Sequence, residues 1–235
     1  MSRWPRAVLF DFDGVIVNSE PIHFRTFRNV LRAEKIELSE REYYEQMIGF
    51  DDRGAFRQAF ESRGMKVEAK DLLRLVASKG AAMMEVIRRE GIQPLPGVDE
   101  FVRGLWWNYP LAICSGGRLE EIEATLEGIS LRDCFAAITS AEHVTRGKPD
   151  PEGYLLTAER LSQRGKGVPL KPTDCLVIED APKVIRSCKD AGFPVLGVAT
   201  SYFPDKLSEA GADWVVNSLN GGEVKKAIPE LKIEV

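Results

Sequence analysis

Two aspartates separated by one residue, Asp11 and Asp13, directly follow the apolar run Ala7–Phe10 and precede Gly14. A short apolar run that stops abruptly in charge is typical of a buried strand, which would deliver both carboxylates to its carboxyl end. Open α/β sheets bind their ligands at that end. Two carboxylates so close repel each other unless a cation lies between them, and hard oxygen ligands favour Mg²⁺. The same residues also fit a solvated Asp-Gly turn, so this stretch alone is compatible with either a cation site or a simple turn.

Two further polar pairs follow short apolar runs: Ser115-Gly116 after Leu111–Cys114, and Glu179-Asp180 after Cys175–Ile178. Because the carboxyl ends of parallel strands meet at one edge of a sheet, Asp180 can complete a cation site with Asp11. The backbone carbonyl of Asp13 can supply a third oxygen. Ser115 and Gly116, at a strand end that opens a helix, offer a hydroxyl and free N–H groups to an anion, although alone they fit an ordinary turn.

Lys148 stands between Gly147 and Pro149, just before a predicted helix over Pro151–Gln163. A lysine in such a loop can reach back as a point charge for phosphate. Taken by itself, it would be an ordinary surface lysine.

The elements around these residues change in kind along the chain. From Pro21 to Glu90 the apolar spacing is helical throughout, and the linker Gly91–Gly97 then stops any helix with two prolines and two glycines. Beyond it, strands alternate with helices, which predicts a parallel sheet with right-handed crossovers. We therefore predict an α/β fold: a Rossmann-like parallel-sheet core formed by residues 1–19 and 94–235, with an inserted all-helical cap over residues 20–93 and the first strand placed centrally.

The composition of the chain indicates which classes of partner and which cellular compartment to expect. The 235 residues carry a formal net charge of −4, so the chain has no basic footprint and we expect no nucleic acid partner. No stretch is apolar enough for a signal peptide or a membrane span, so we expect no membrane partner. The four cysteines are widely spaced and lack a C-x-x-C pair, which favours buried thiols in a reducing cytoplasm over disulfides or zinc. We expect a cytoplasmic protein, with a monomer as the default state.

Four elements occur in a fixed order: Asp11-Phe12-Asp13-Gly14, Ser115-Gly116, Lys148-Pro149 and Glu179-Asp180. In this order and at this spacing the chain resembles the haloacid dehalogenase superfamily of aspartate-nucleophile phosphotransferases. The helical insert resembles the cap of the subgroup that contains phosphoglycolate phosphatase and β-phosphoglucomutase. The resemblance spans essentially the whole chain and implies a phosphoric monoester hydrolase.

The resemblance also implies roles for the matching positions. Asp11 would be the nucleophile that forms an aspartyl-phosphate, and Asp13 would act as general acid and then as general base. The transferring phosphoryl oxygens would be held by Ser115, Gly116 and Lys148. Mg²⁺ would be bound by Asp11, Asp13 through its carbonyl, and Asp180, with Glu179 among these ligands or beside them.

The chain departs from the family pattern in two places. After Asp180 the family usually has Ser-x-x-Gly, whereas here the segment is Ala181–Val184. Where the mutases have a Ser-Arg pair soon after a glycine, this chain has Asp51-Asp52, which would repel a second phosphate unless Arg53 reaches it.

We therefore predict a Mg²⁺-dependent phosphatase acting on a small phosphorylated metabolite, whose identity the sequence does not specify. The alternatives are a phosphosugar mutase of the β-phosphoglucomutase type and a non-catalytic binding or regulatory protein. His23 fits either a substrate contact or a packing role, His143 is expected at the surface, and Cys114 is not expected to be a nucleophile.

Overall fold

The computed structural model describes residues 4–47, 50–164 and 168–234. Contacts between Cα atoms divide the chain into two compact units, one formed by Met1–Asn18 with Ile92–Val235 and the other by Ser19–Gly91. We call the first the sheet unit and the second the helical unit. That the helical unit serves as a cap stays a prediction.

The sheet unit contains one parallel sheet of six strands in the order β3-β2-β1-β4-β5-β6. The strands are β1 (Ala7–Phe10), β2 (Leu111–Cys114), β3 (Phe135–Thr139), β4 (Cys175–Glu179), β5 (Val195–Val198) and β6 (Trp214–Val216). Phe10 of β1 pairs with Ile113 of β2 on one side and with Ile178 of β4 on the other. The central position predicted for the first strand is confirmed, and the strand order is that of a doubly wound Rossmann-type sheet.

The helical unit consists of α1 (Glu20–Ala33), α2 (Glu40–Gln46), α3 (Asp52–Glu61) and α4 (Ala69–Glu90). Its core is mainly aliphatic and includes an aromatic pair: the Phe27 and Phe56 rings meet edge to face with 4.9 Å between their centroids, and Leu31 and Leu75 are fully buried in the same cluster. No strand occurs among the described residues of this unit. The predicted fold class, a Rossmann-like parallel-sheet core with an inserted all-helical segment, is confirmed.

The sheet is covered by α5 (Val98–Trp106), α6 (Leu119–Gly128), α7 (Glu152–Arg164), α8 (Pro182–Asp190), α9 (Pro204–Glu209) and α10 (Gly221–Ala227). The helix predicted over Pro151–Gln163 is α7, shifted by one residue at each end, which is within the usual uncertainty of helix ends. Helix α9 was not predicted from the sequence, because its 6 residues make fewer than two turns and show no periodicity. In the part of the chain that is described, no helix is long and apolar enough to cross a bilayer.

Ser19 occupies the N-cap position of α1, and its side chain makes no capping hydrogen bond. One expected detail is corrected. The fourth strand extends one residue further than predicted, because Glu179 pairs with Gly197 of β5. Glu179 is therefore a strand residue and is completely buried.

The alternation of side chains along β1 determines which way its last residues face. Leu9 belongs to the core cluster that includes Tyr154 of α7 and Ile185 of α8. Phe10 faces the opposite side of the sheet, where its ring meets that of Phe101 of α5. Asp11 continues the alternation on the Leu9 side, which is the side covered by α7.

Candidate active site

The ends of β1 and β4 bring three carboxylates together. The backbone N–H of Asp11 donates to the carbonyl of Ile178 over 2.9 Å, which continues the strand pairing past the end of β1. One carboxylate oxygen from each of Asp11, Glu179 and Asp180 lies within 4.8 Å of the others. All three side chains belong to buried residues. The predicted meeting of the first and fourth strand ends is thus present in the structure.

Lys148 reaches this cluster from the loop before α7. Its ammonium nitrogen lies 2.5 Å from Asp11 Oδ1 and 2.7 Å from Glu179 Oε1. The hydroxyl of Tyr154 is a third partner at 3.2 Å. A lysine that would be a surface residue on sequence alone is therefore an internal cation of the carboxylate cluster.

Both oxygens of Glu179 are engaged. Oε2 accepts hydrogen bonds from the backbone N–H groups of Asp180 and Ala181, each over 2.9 Å. Oε1 accepts from Lys148 and from the Tyr154 hydroxyl at 3.2 Å. These four bonds place Glu179 as an anchor for Lys148 and for the segment that follows β4.

The site holds more negative charge than Lys148 can balance. Burial raises the pKa of Asp11 well above its ordinary value, and Glu179, Asp180 and Asp13 raise it further against the attraction of Lys148. Burial also raises the pKa of Asp180 to about 7, with Glu179 adding to the effect. Burial lowers the Lys148 pKa, but Asp11 and Glu179 outweigh this and raise it well above its ordinary value. A buried set of hard oxygen donors that is short of positive charge fits a divalent cation such as Mg²⁺.

The remaining predicted residues lie at the same edge of the sheet. Ser115 follows β2 and is buried, and its Oγ accepts from the N–H of Gly117 over 2.9 Å. Gly116 is exposed, and no atom lies within 4 Å of the point where a Cβ would be. In the part of the chain that is described, neither residue is hydrogen-bonded to Asp11 or Lys148. Asp13 is half-buried and forms an isolated bridge with Val17.

Gly14 allows the chain to turn away beside Asp180. Its φ of +83° lies in the left-handed region, and a Cβ there would be 2.1 Å from Asp180 Oδ2. Thr200, in the loop after β5, donates its hydroxyl hydrogen bond to the Gly14 carbonyl. The neighbouring Ser201 hydrogen-bonds the Asp180 side chain, which lowers the pKa of that carboxyl and partly opposes burial.

Tyr154, Thr200 and Ser201 were not predicted from the sequence as site residues. Tyr154 stands on the apolar face of α7, where an aromatic residue is normally core packing, and the only available signal was its place six residues after Lys148. Thr200 and Ser201 belong to a loop whose approach to Gly14 and Asp180 depends on how β5 pairs with β4.

Within the helical unit, His23, Asp51 and Asp52 contact other residues of the same unit, and whether His23 also contacts a substrate stays a prediction. Nδ1 of His23 lies 2.8 Å from Nζ of Lys79, and burial together with Lys79 lowers the His23 pKa well below its ordinary value. Lys79 also lies 2.9 Å from Asp52 Oδ1, while Asp51 Oδ1 caps α3 by accepting from the Gly54 N–H over 2.7 Å.

The structure also tests what the sequence led us to expect of two other residues of the sheet unit, His143 and Cys114. His143, expected at the surface, is half-buried, and its Nδ1 accepts from the Ser140 N–H over 3.0 Å. Burial raises the pKa of Cys114 to about 12, so this thiol stays protonated at neutral pH, as expected for a cysteine without a nucleophilic role.

Comparison with known proteins agrees with this geometry. A family model described as "Haloacid dehalogenase-like hydrolase" matches residues 8–198. Hexitol phosphatase A of Escherichia coli is 30% identical over 224 residues, which cover 94% of each chain. Fructose-1-phosphate phosphatase YqaB of the same organism is 29% identical over 192 residues, which cover 82% of this chain and 95% of the relative.

A similar fold is found among solved structures. CbbY from Rhodobacter sphaeroides, in complex with xylulose-(1,5)bisphosphate, superimposes with a TM-score of 0.81 over 97% of this chain and 99% of that one. At 20% identity this likeness concerns the fold alone.

Proposed function

Because the chain belongs to the haloacid dehalogenase-like hydrolase family and is a phosphoric monoester hydrolase, we propose that it is a Mg²⁺-dependent phosphatase with Asp11 as its nucleophile. The observation that carries the proposal is the position of the Lys148 ammonium, between the carboxylates of Asp11 and Glu179 and in the same buried cluster as Asp180. A carboxylate nucleophile, a cation for the phosphoryl oxygens and a pair of metal-binding carboxylates are what phosphoryl transfer through an aspartyl-phosphate requires.

In the first half-reaction, a carboxylate oxygen of Asp11 attacks phosphorus in line with the leaving oxygen. The bond from phosphorus to the leaving oxygen breaks, and Asp13 donates its proton to that oxygen. Lys148, Ser115 and the N–H of Gly116 hold the equatorial phosphoryl oxygens during the transfer.

In the second half-reaction, Asp13 accepts a proton from a water molecule whose oxygen attacks phosphorus. The bond between phosphorus and Asp11 breaks, which restores the free carboxylate and releases inorganic phosphate. A Mg²⁺ held by Asp11, Asp180 and the Asp13 carbonyl would supply the positive charge that offsets repulsion between carboxylate and phosphate. Glu179 lies beside this set and holds Lys148 in place.

We further propose that the substrate is a phosphorylated sugar or polyol with one phosphate. The relatives named above are phosphatases of fructose 1-phosphate and of hexitol phosphates by their names. In the helical unit, which we propose to be the cap, Asp52 already compensates the charge of Lys79 and Asp51 caps a helix. Neither arrangement provides an uncompensated cation for the second phosphate that a mutase must hold. Arg53, which is exposed on the same helix, is the residue that keeps the mutase alternative open.

The test is phosphate release from fructose 1-phosphate, sorbitol 6-phosphate, phosphoglycolate and a nucleoside monophosphate, with Mg²⁺ and with a chelator. We expect metal-dependent release from a sugar or polyol phosphate, abolished in Lys148→Met and retained in Lys206→Met, whose exposed lysine pairs with Glu209. Conversion of β-glucose 1-phosphate to its 6-phosphate without release of phosphate would support the mutase instead. If the protein is folded and binds Mg²⁺ but releases phosphate from none of these substrates, the non-catalytic alternative would be favoured.

A further inference from the structure

Tyr154 is a fully buried residue whose polar end is directed at the charged cluster. It lies in the first turn of α7 and belongs to the core cluster of the sheet unit, where its ring packs against that of Phe193 with 6.2 Å between centroids. Its hydroxyl oxygen is 3.2 Å from Lys148 Nζ and 3.2 Å from Glu179 Oε1. A side chain with no exposed surface cannot touch a substrate, so Tyr154 can affect the reaction only through the residues that it contacts.

The directions of these hydrogen bonds follow from the chemistry of the groups. A lysine ammonium has three donors and no acceptor, and an ionised carboxylate has acceptors only. The Tyr154 hydroxyl therefore accepts from Lys148 and donates to Glu179. With Asp11 Oδ1 at 2.5 Å and Glu179 Oε1 at 2.7 Å as the other acceptors, each of the three donors of Lys148 has one partner.

The ring of Tyr154 constrains the same ammonium. Nζ of Lys148 lies 4.8 Å from the ring centroid, within the range of a cation–π contact. A lysine side chain is a flexible stem that carries a point charge, and a phosphoryl group is bound well only if that charge stays at one place. On the buried side of Lys148, Tyr154 therefore supplies both a ring that packs against the ammonium and a hydroxyl that accepts a hydrogen bond from it.

We propose that Tyr154 is a positioning residue that holds the Lys148 ammonium where it meets the transferring phosphoryl group, through its hydroxyl and its ring. The inference rests on the proposed function, since it assumes that Lys148 binds phosphate. The hydroxyl fixes the direction of one Lys148 donor and one Glu179 oxygen at the same time, so its removal loosens Lys148 without removing any charge.

The variant that isolates this role is Tyr154→Phe, which keeps the ring and its packing against Phe193. The matched control is Tyr109→Phe, because Tyr109 is also a buried tyrosine of the sheet unit and its hydroxyl accepts from the N–H of Lys232 over 3.0 Å. Calorimetry would measure the affinity for inorganic phosphate with Mg²⁺ present and, separately, the affinity for Mg²⁺ alone. We expect Tyr154→Phe to bind phosphate roughly tenfold more weakly, as for one lost hydrogen bond to a charged group. Its Mg²⁺ affinity should stay within about twofold of the parent, as should both affinities of Tyr109→Phe.

A double-mutant cycle with Lys148→Met tests whether Tyr154 acts through Lys148. If it does, adding Tyr154→Phe to Lys148→Met produces no further loss of phosphate affinity. The same loss in both backgrounds, or an equal loss in Tyr109→Phe, would overturn the proposal and leave Tyr154 as core packing. Melting temperatures of all variants report folding separately from affinity. If the unaltered protein itself bound no phosphate and released none from any ester, the proposed function would fail rather than this inference.

Discussion

The ammonium nitrogen of Lys148 lies 2.5 Å from a carboxylate oxygen of Asp11, although 137 positions separate the two residues in the chain. Asp11 comes from the end of the central strand and Lys148 from the loop before α7. The contact joins the proposed nucleophile to the proposed phosphate-binding cation. It also means that Asp11 has a charge partner in a site where burial and three other carboxyl groups raise its pKa.

Gly14→Ala should disrupt the site, because the new methyl group would lie 2.1 Å from Asp180 Oδ2 at a residue with a φ of +83°. We expect Mg²⁺ affinity and phosphatase activity to fall at least about tenfold, since Asp180 must move, with a backbone cost of about 1–2 kcal/mol. Calorimetric Mg²⁺ titration and kcat/KM are the measurements.

The control for this change is Gly64→Ala in the helical unit. Gly64 has a φ of +68°, but nothing lies within 4 Å of its missing Cβ. It should lose about 1–2 kcal/mol of stability and keep full activity. Equal activity losses in both variants would show that the close approach of Gly14 to Asp180 is unimportant.

The metal-free protein should lose stability as the pH rises from about 4 to about 7. The pKa of Asp180 is raised by burial to about 7 from an ordinary value of 3.8, so in this interval the folded chain holds a proton that the unfolded chain has released. Stability therefore falls with rising pH, by up to about 4 kcal/mol over the whole interval. Mg²⁺ favours the ionised carboxylate and should reduce the decline.

The measurement is the free energy of unfolding in urea from about pH 4 to about pH 8, with chelator and with Mg²⁺. Asp180→Asn should make the decline in chelator smaller, because its side chain does not titrate; Asp11, whose pKa burial also raises, keeps its own contribution. If the decline persists unchanged in Asp180→Asn, another group is responsible for it.

Ser201→Ala should weaken Mg²⁺ binding, because the Ser201 hydroxyl hydrogen-bonds Asp180 and lowers its pKa. We expect about fivefold weaker binding near neutral pH, corresponding to one hydrogen bond of about 1 kcal/mol. Ser208→Ala is the control, since that hydroxyl donates to the Pro204 carbonyl within α9. Ala181→Ser, which restores the hydroxyl usual after this motif, should recover part of the affinity when combined with Ser201→Ala. Unchanged affinity in Ser201→Ala would contradict this role.

Replacing Asp52 should destabilise the protein more than replacing its partner Lys79. The Lys79 side chain is 2% exposed and that of Asp52 is 21% exposed. Asp52→Asn leaves a buried ammonium without its carboxylate and should cost about 3–5 kcal/mol. Lys79→Met leaves a carboxylate that reaches water and should cost less, as measured by urea unfolding. Equal costs for the two changes would show that burial of the ammonium is not what matters.

The residues that could be predicted from sequence are those at the ends of short apolar strands. Asp11 and Asp180 follow such runs, and strand pairing brings them together once the sheet is parallel. Lys148 could be assigned only through the ordered motifs of the family, because a lysine in a loop carries no local signal. Tyr154 and Ser201 could not be predicted, since one stands at a core position of a helix and the other in a loop placed by distant strand pairing.

The most direct test of the account is to stop the reaction in acid and look for phosphate bound covalently to the enzyme. Protein mixed with a substrate and Mg²⁺, quenched during turnover and digested, would be analysed by mass spectrometry, with hydroxylamine treatment to cleave an acyl phosphate. We predict a single hydroxylamine-sensitive phosphoryl group on Asp11, absent with chelator and absent in Asp11→Asn, which should retain less than about one thousandth of the activity. A phosphoryl group on any other residue, or turnover by Asp11→Asn at the parental rate, would contradict the central claim that Asp11 is the nucleophile.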